Sequence, residues 1–463
     1  MLERESLEIL QSALGRLEAG FASLPPFEAG ASDLATMRGV LEQAATRMQD
    51  NYPYFHPLYA GQMLKPPHPV ARAAYALATW INPNNHALDG GRASSAMEVE
   101  AVAEIARMVG FNKHLGHLTS GGTVANLEAL WVSGRLAAEQ GKTALVLCSE
   151  QAHYTHQRIS AVLGLRCETV AVDALGRMDV AALTRRIQQT DGDDSVTVVV
   201  TFGTTAVGAV DPLDEILRLR ERYGYRVHVD AAYGGYFPLT LQPAEEAGRA
   251  AEGISEADSL VIDPHKHGLQ PYGCGCVLFR EPAVGRFYKH DSPYTYFSSA
   301  ELHLGEITLE CSRAGAAAVA LWSTQKLLPL ERGGEFARML GDCRAAALDL
   351  YQLLHKDARF VTMAAPQLDI VCWAVRGATL EKSGARAREI FAAAAERDVH
   401  LALVQLPVRF FPELAAQFGD AGMVTCLRSV LMKPEHRAWV PEIWRRLDAA
   451  ADTVLEKSRA GVG

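Results

Sequence analysis

Thr197-Val198-Val199-Val200-Thr201-Phe202 sets the architecture of this chain. A strand with one face in water alternates apolar and polar side chains. Three successive valines leave no wet face, so the segment is predicted to lie inside a parallel sheet covered on both sides. Similar short runs recur at 143–148, 168–172, 226–230, 259–262 and 274–279, separated by amphipathic helical stretches. This rhythm predicts βαβ units and an α/β fold. Ligands in such sheets bind beyond the carboxyl ends of the strands, which directs attention to Ser120, Thr204, Asp230 and Lys266.

The flanking segments divide the chain. Residues 1–55 read as an N-terminal helical arm, in which Leu7, Leu10, Leu14 and Leu17 share a face before the aromatic, proline-rich stretch Tyr52-Pro53-Tyr54-Phe55-His56-Pro57. Residues 56–334 form the expected large domain. Beyond Gly333-Gly334 helices surround weak strands near 370–374 and 424–431, which predicts a small α+β domain over 335–463.

With 463 residues, 49% of them hydrophobic, the chain can bury a large core. A net charge of −9 speaks against a nucleic-acid surface, which needs clustered Lys and Arg. No apolar run approaches the roughly twenty residues of a membrane span, and Met1-Leu2-Glu3-Arg4-Glu5 is too acidic to open a secretory signal. A cytoplasmic address with no membrane partner is expected. The eight cysteines show no paired CxxC spacing, and no HExxH is present, so reduced thiols and no metal site are expected.

Two residues at predicted strand ends carry the chemistry. Lys266, in Asp263-Pro264-His265-Lys266-His267-Gly268, offers an amine able to form an imine with an aldehyde cofactor. Asp230, in Val227-His228-Val229-Asp230-Ala231-Ala232, offers a carboxylate that keeps a pyridine nitrogen protonated, so that the ring accepts electrons. Each has a plainer reading, the Asp as a helix cap and the Lys as a solvated loop charge. Paired at one sheet edge, they point to pyridoxal phosphate.

The turn Leu118-Thr119-Ser120-Gly121-Gly122-Thr123-Val124-Ala125-Asn126 leaves a strand, crosses two glycines and enters a helix. Backbone N–H groups and the Thr123 hydroxyl can meet a phosphate there; an ordinary glycine turn capped by Thr123 is the alternative. The spacing is neither that of a P-loop nor that of a dinucleotide fingerprint. His153 follows another strand with a flat ring able to stack on a pyridine, and as a lone histidine it equally suits a polar core position. Thr204, Thr205 and His265 add hydroxyls and an imidazole at the same edge.

In order and spacing, Asn82-Pro83-Asn84, Ser95-Ala96-Met97-Glu98, residues 119–126, Glu150-Gln151-Ala152-His153, Gly203-Thr204-Thr205, Val229-Asp230-Ala231-Ala232-Tyr233 and Asp263-Pro264-His265-Lys266 resemble the group II pyridoxal-phosphate-dependent amino acid decarboxylases. The resemblance covers roughly residues 50–330 and extends weakly to the end. It implies fold type I: a large domain on a mostly parallel seven-stranded sheet, a small C-terminal domain, and an N-terminal segment packed across a homodimer with active sites at the interface. It implies Lys266 for the imine, Asp230 at the pyridine nitrogen, His153 stacked on the ring, Ala232 beneath it and Thr205 beside cofactor or substrate. Gly122, Thr123 and His265 would hold the phosphate, and Thr308 and Ser312 would face the neighbouring subunit's site. Two positions depart from the family. His267 stands where an aromatic residue is usual and is expected in the pocket wall. The segment around Tyr294 and Tyr296 aligns poorly with the family's catalytic tyrosine; Tyr296, Tyr294 or a histidine near the cofactor is the expected proton donor.

The implied reaction is decarboxylation of an L-amino acid to its amine and carbon dioxide. The same ring chemistry serves transamination, carbon–carbon lysis and aldehyde synthesis, and fold alone does not choose. A non-catalytic scaffold on a cofactor fold is a third reading, which nothing in the central residues supports. Arg428 is expected to bind a substrate carboxylate, with a domain-interface charge as its alternative. Tyr52, Tyr54, Phe55, Tyr59 and His86 fall where the resemblance puts the side-chain pocket, and aromatic walls favour an aromatic substrate. An acidic substrate would want a distal cation such as Lys65, Arg92 or Arg313.

Overall fold

The structure, a computed structural model, describes residues 4–27, 30, 32–87, 90–289 and 308–460, with side chains to 456. Strands β1 (Leu115–Thr119), β2 (Thr143–Ser149), β3 (Arg166–Val170), β4 (Asp194–Thr201), β5 (Arg226–Asp230), β6 (Ser259–Ile262) and β7 (Gly275–Phe279) form a seven-stranded sheet in the order β1-β7-β6-β5-β4-β2-β3. From β3 to β6 all neighbours are parallel, and helices between them return the chain, as in the expected α/β fold.

The valine run behaves as its composition demands. Val198 and Val200 join Leu145 and Leu147 on one face of the sheet, while Val199 joins Val146 and Cys148 on the other. Both faces are dry because the side-chain period of a strand is two and helices cover each side. Each such side chain taken from water contributes roughly 1.5–3 kcal/mol.

Only β7 runs against the rest, antiparallel to both β6 and β1. Two successive reversals restore β1 to the direction of the parallel strands, so its carboxyl end lies on the same edge as theirs. Thr201 stands beside Asp230 and Asp230 beside Val261, while the start of β7 returns to this edge with Gly275 opposite Thr119 and Cys276 opposite Ile262. Register alone thus gathers the loops after β1, β5 and β6.

A second, antiparallel sheet has the order β10-β11-β9-β8, from β8 (Phe360–Thr362), β9 (Ile370–Val375), β10 (Ala402–Pro407) and β11 (Met423–Val430). Helices Glu335–Lys356, Leu380–Ala395 and His436–Ala460 build its core around Trp373, Ile390 and Ile443. Leu58 and Ala60 join that core from the N-terminal side, and Ala60 exchanges backbone hydrogen bonds with His400 and Val430. The arm helices Arg4–Ala19 and Leu34–Met48 bury none of their residues, and Leu7, Ile9, Leu34, Val40, Leu41 and Met48 are exposed. Among the described residues no helix is long and apolar enough to cross a membrane.

Candidate active site

At the shared strand edge lies a cavity of about 310 Å³, and Gly122, Thr123, His153, Thr205, Asp230, Ala232, His265 and Lys266 all line it. Every residue expected to hold the cofactor is therefore brought to one place, from the loops after β1, β2, β4, β5 and β6.

One end of the cavity is a bare helix start. Gly122 opens helix Gly122–Glu139 and no side chain caps it, so first-turn amides are available to an anion. A Cβ at Gly122 would lie 2.7 Å from Asp263 Oδ2, which is why the approach needs glycine. His265 Nδ1 donates to the Cys274 carbonyl at 2.8 Å, leaving Nε2 3.5 Å from Asp263. Burial holds the His265 imidazole below its ordinary value despite that carboxylate. Asp263 Oδ2 also pairs with Lys266 Nζ at 3.1 Å, while Asp263 Oδ1 is buried without a partner.

At the other end lies Asp230, 5% exposed. Its Oδ2 accepts from His156 Nε2 at 2.8 Å and its Oδ1 from the Ala232 N–H at 3.2 Å. Burial alone would raise this carboxyl, but the His156 hydrogen bond and charge, with Lys266 and His228, hold it well below the usual carboxylate range. It stays ionised. The His153 imidazole, bonded through Nδ1 to the Thr155 hydroxyl, is pushed down by burial and presents a neutral flat ring to the cavity. An amine, an ionised carboxylate and a bare helix start around one cavity suit pyridoxal phosphate: aldehyde, pyridine nitrogen and phosphate each have a chemical complement.

The expected substrate residues are not brought into this cavity of the chain. Tyr54 packs edge-on to Tyr59 at 4.9 Å; Phe55 lines a separate cavity with Lys65 and Lys433; His86 sits beside Gly90 with Nδ1 buried and unbonded. Arg428, 4% exposed, donates to the carbonyls of Thr205 at 2.7 Å, Ala206 at 2.9 Å and Gly61 at 3.3 Å. Its guanidinium braces the backbone behind Thr205. Of the candidate distal cations, Lys65 donates to the Met432 carbonyl, Arg313 pairs with Glu98, and Arg92 is exposed at a helix start. Tyr294 and Tyr296 lie outside the described residues. Thr308 Oγ1 accepts from the Glu310 N–H, and Ser312 Oγ from Asn84.

Two expectations are corrected. Thr204 is fully buried and its Oγ1 accepts from the Ala209 N–H, so the turn uses it and Thr205 alone reaches the cavity. His267 is no pocket wall: it is 1% exposed between Tyr233 and Phe237, with Nε2 3.1 Å from Asp369 Oδ2. Tyr233 donates to the same carboxylate at 2.5 Å, tying the loop after Lys266 to the second sheet's domain. Sequence reasoning missed His156 and Asp263. A signal existed for both: His156 follows His153 by one helical turn, and Asp263 precedes Lys266 by the same spacing.

Residues 51–376 match the family model described as the pyridoxal-dependent decarboxylase conserved domain. The chain is 27% identical to the L-tyrosine decarboxylase of Enterococcus faecium over 413 aligned positions, covering 68% of this chain and 67% of that protein. It is 31% identical to the L-2,4-diaminobutyrate decarboxylase of Acinetobacter baumannii over 275 positions, covering 54% of this chain and about half, 53%, of that protein. The fold matches the crystal structure of Oryza sativa TDC with PLP and tryptamine at a TM-score of 0.78 and 18% identity, over 97% of this chain and 96% of that one. The chain belongs to the pyridoxal-dependent decarboxylases, enzymes that release carbon dioxide from an amino acid with the help of pyridoxal phosphate.

Proposed function

We propose that the enzyme acts on an L-amino acid with an aromatic side chain, giving the aromatic amine and carbon dioxide. The observation that carries the reaction is the pairing of an ionised Asp230 with the Lys266 amine across one cavity. The aromatic preference is supported by the cation candidates: Lys65 donates to the Met432 carbonyl, Arg313 pairs with Glu98, and Arg92, exposed at a helix start, does not line the cavity. It is also supported by the Tyr272 ring, which lies 5.0 Å from His265, a residue of the cavity wall. L-tyrosine is the substrate named for the Enterococcus faecium relative.

Bound pyridoxal phosphate supplies an aldehyde for the substrate amine and a protonated ring that takes up the electron pair left by carbon dioxide. The protein's residues orient and shield. First-turn amides at Gly122 and Thr123 and the Thr123 hydroxyl would bind the phosphate oxygens, with the His265 ring beside them in the cavity wall. Asp230 would keep a proton on the ring nitrogen, and His153 and Ala232 would close the two ring faces. Lys266 would hold the cofactor's aldehyde carbon in the resting enzyme, giving it up to the substrate amine and taking it back as the product amine leaves. Arg428 holds Thr205 against the cavity through the Thr205 and Ala206 carbonyls.

A panel of L-amino acids tests the assignment, with carbon dioxide and amine both measured. Tyrosine, tryptophan or phenylalanine should exceed glutamate, aspartate and 2,4-diaminobutyrate by at least about tenfold in kcat/KM. Preference for an acidic or basic substrate would overturn the aromatic assignment, and pyridoxamine phosphate accumulating without carbon dioxide would overturn decarboxylation.

We further propose a homodimer. The exposed Leu7, Ile9, Leu34, Val40, Leu41 and Met48 of the arm would be its buried face, and the aromatic segment 52–59 would then complete the substrate pocket from the neighbouring subunit. Sedimentation should give twice the 50.2 kDa chain mass, and deletion of residues 1–48 should give monomers. A monomer at micromolar concentration would refute this.

A further inference from the structure

We propose that His156 is a positioning residue for the cofactor's ring nitrogen: its Nε2–H donates to Asp230 and holds that carboxylate in the orientation that faces the nitrogen. The inference rests on the reading that the pyridine nitrogen meets Asp230. His156 belongs to helix Thr155–Leu163, is fully buried and does not line the cavity, so any effect it has on the ring passes through Asp230.

Geometry specifies what the imidazole does. An ionised carboxylate can only accept, so the nitrogen 2.8 Å from Asp230 Oδ2 carries the proton. Nδ1 is buried with no partner. The ring's one hydrogen bond among the described residues is therefore the one from Nε2 to Asp230.

Asp230 Oδ1 is taken by the Ala232 N–H at 3.2 Å. With each oxygen held by one protein donor, the carboxylate cannot turn, and its remaining lone pairs are left for the cavity. No other side chain among the described residues does this. His228 is saturated by Ser259 at 2.9 Å and Asn126 at 2.8 Å, and Lys266 is paired with Asp263. An apolar residue at position 156 would leave Oδ2 buried without a donor and free to rotate.

The test compares two ligands on full-length protein stripped of cofactor. One is pyridoxal phosphate; the other is its analogue with a ring C–H in place of the nitrogen. Wild type should bind pyridoxal phosphate more tightly than the analogue. His156→Phe should weaken pyridoxal phosphate about ten- to a hundredfold and leave the analogue unchanged or improved. His156→Gln, whose amide N–H reaches the same oxygen, should restore most of the loss. Equal weakening of both ligands would mean that His156 merely supports the fold, and no weakening would mean that Asp230 is oriented without it; either overturns the proposal. A wild type blind to the ring nitrogen would instead refute the underlying Asp230 reading, and the role of His156 with it.

Discussion

Replacing Lys266 with alanine should remove the visible absorption of the bound cofactor and lower turnover by about a thousandfold or more, the scale on which enzymes lose an essential nucleophile or proton carrier. Lys266 is the only lysine among the described residues that line the cavity, so no second amine stands ready to replace it. Its ion pair with Asp263 at 3.1 Å orients it, and its side chain is 23% exposed, open enough to reach an entering aldehyde. The fold should survive at reduced stability. Asp263, 3% exposed, keeps His265 3.5 Å away but loses its nearest cation, at a cost of about 3–5 kcal/mol. Lys266→Arg should fail equally, because a guanidinium keeps the charge but forms no imine at neutral pH. Borohydride reduction of the loaded wild type, followed by peptide mapping, should add the cofactor's mass at position 266. Label elsewhere, or turnover within tenfold of wild type in Lys266→Ala, would show that this lysine is not the attachment point.

The parts of this site legible in the sequence are those where chemistry directly follows a strand. Asp230 ends β5, Gly122 and Thr123 follow β1, His153 follows β2, and His265 with Lys266 follows β6, so the hydrophobic pattern that locates the strands also locates the residues. The direction of β7 was not legible, because five buried residues carry no signature of which way a strand runs. Partners far along the chain escaped for a related reason. Asp369 meets His267 and Tyr233 from the other sheet's domain, and nothing local to His267 announces a buried carboxylate. Arg428 shows the converse limit: its residue type fits a carboxylate clamp, yet whether a guanidinium turns to a cavity or to the carbonyls of Thr205 and Ala206 depends on how β11 packs beside that loop. The expectation for Tyr54, Phe55 and His86 rests on position in a family pattern. Their surroundings within one chain are the second sheet's edge, a separate cavity and a turn.

Asp230→Asn should lower kcat by about a hundred- to a thousandfold while changing KM little, because the carboxylate acts on charge that develops after the substrate is bound. The amide is nearly the same size but cannot keep the ring nitrogen protonated. Nor does it fit the existing bonds: His156 Nε2–H and the Ala232 N–H both need an acceptor, and an amide has one oxygen. One donor must face the NH2, which adds about 1–3 kcal/mol of destabilisation. The pH dependence follows from the sign of the shift. The folded carboxyl lies below its ordinary value of 3.8, so its contribution to stability is complete above that value and is lost only as pH falls through the lower folded value. Between pH 5 and 9 Asp230 is therefore ionised throughout, and the ratio of wild-type to Asp230→Asn activity should stay flat. A ratio that collapses toward one at low pH would mean that Asp230 titrates in the working range and that its bond to His156 does not hold it ionised. Asp230→Glu separates charge from placement: it restores a negative group but carries it one methylene too far for the bonds to His156 and Ala232 at once, so it should recover only part of the lost turnover.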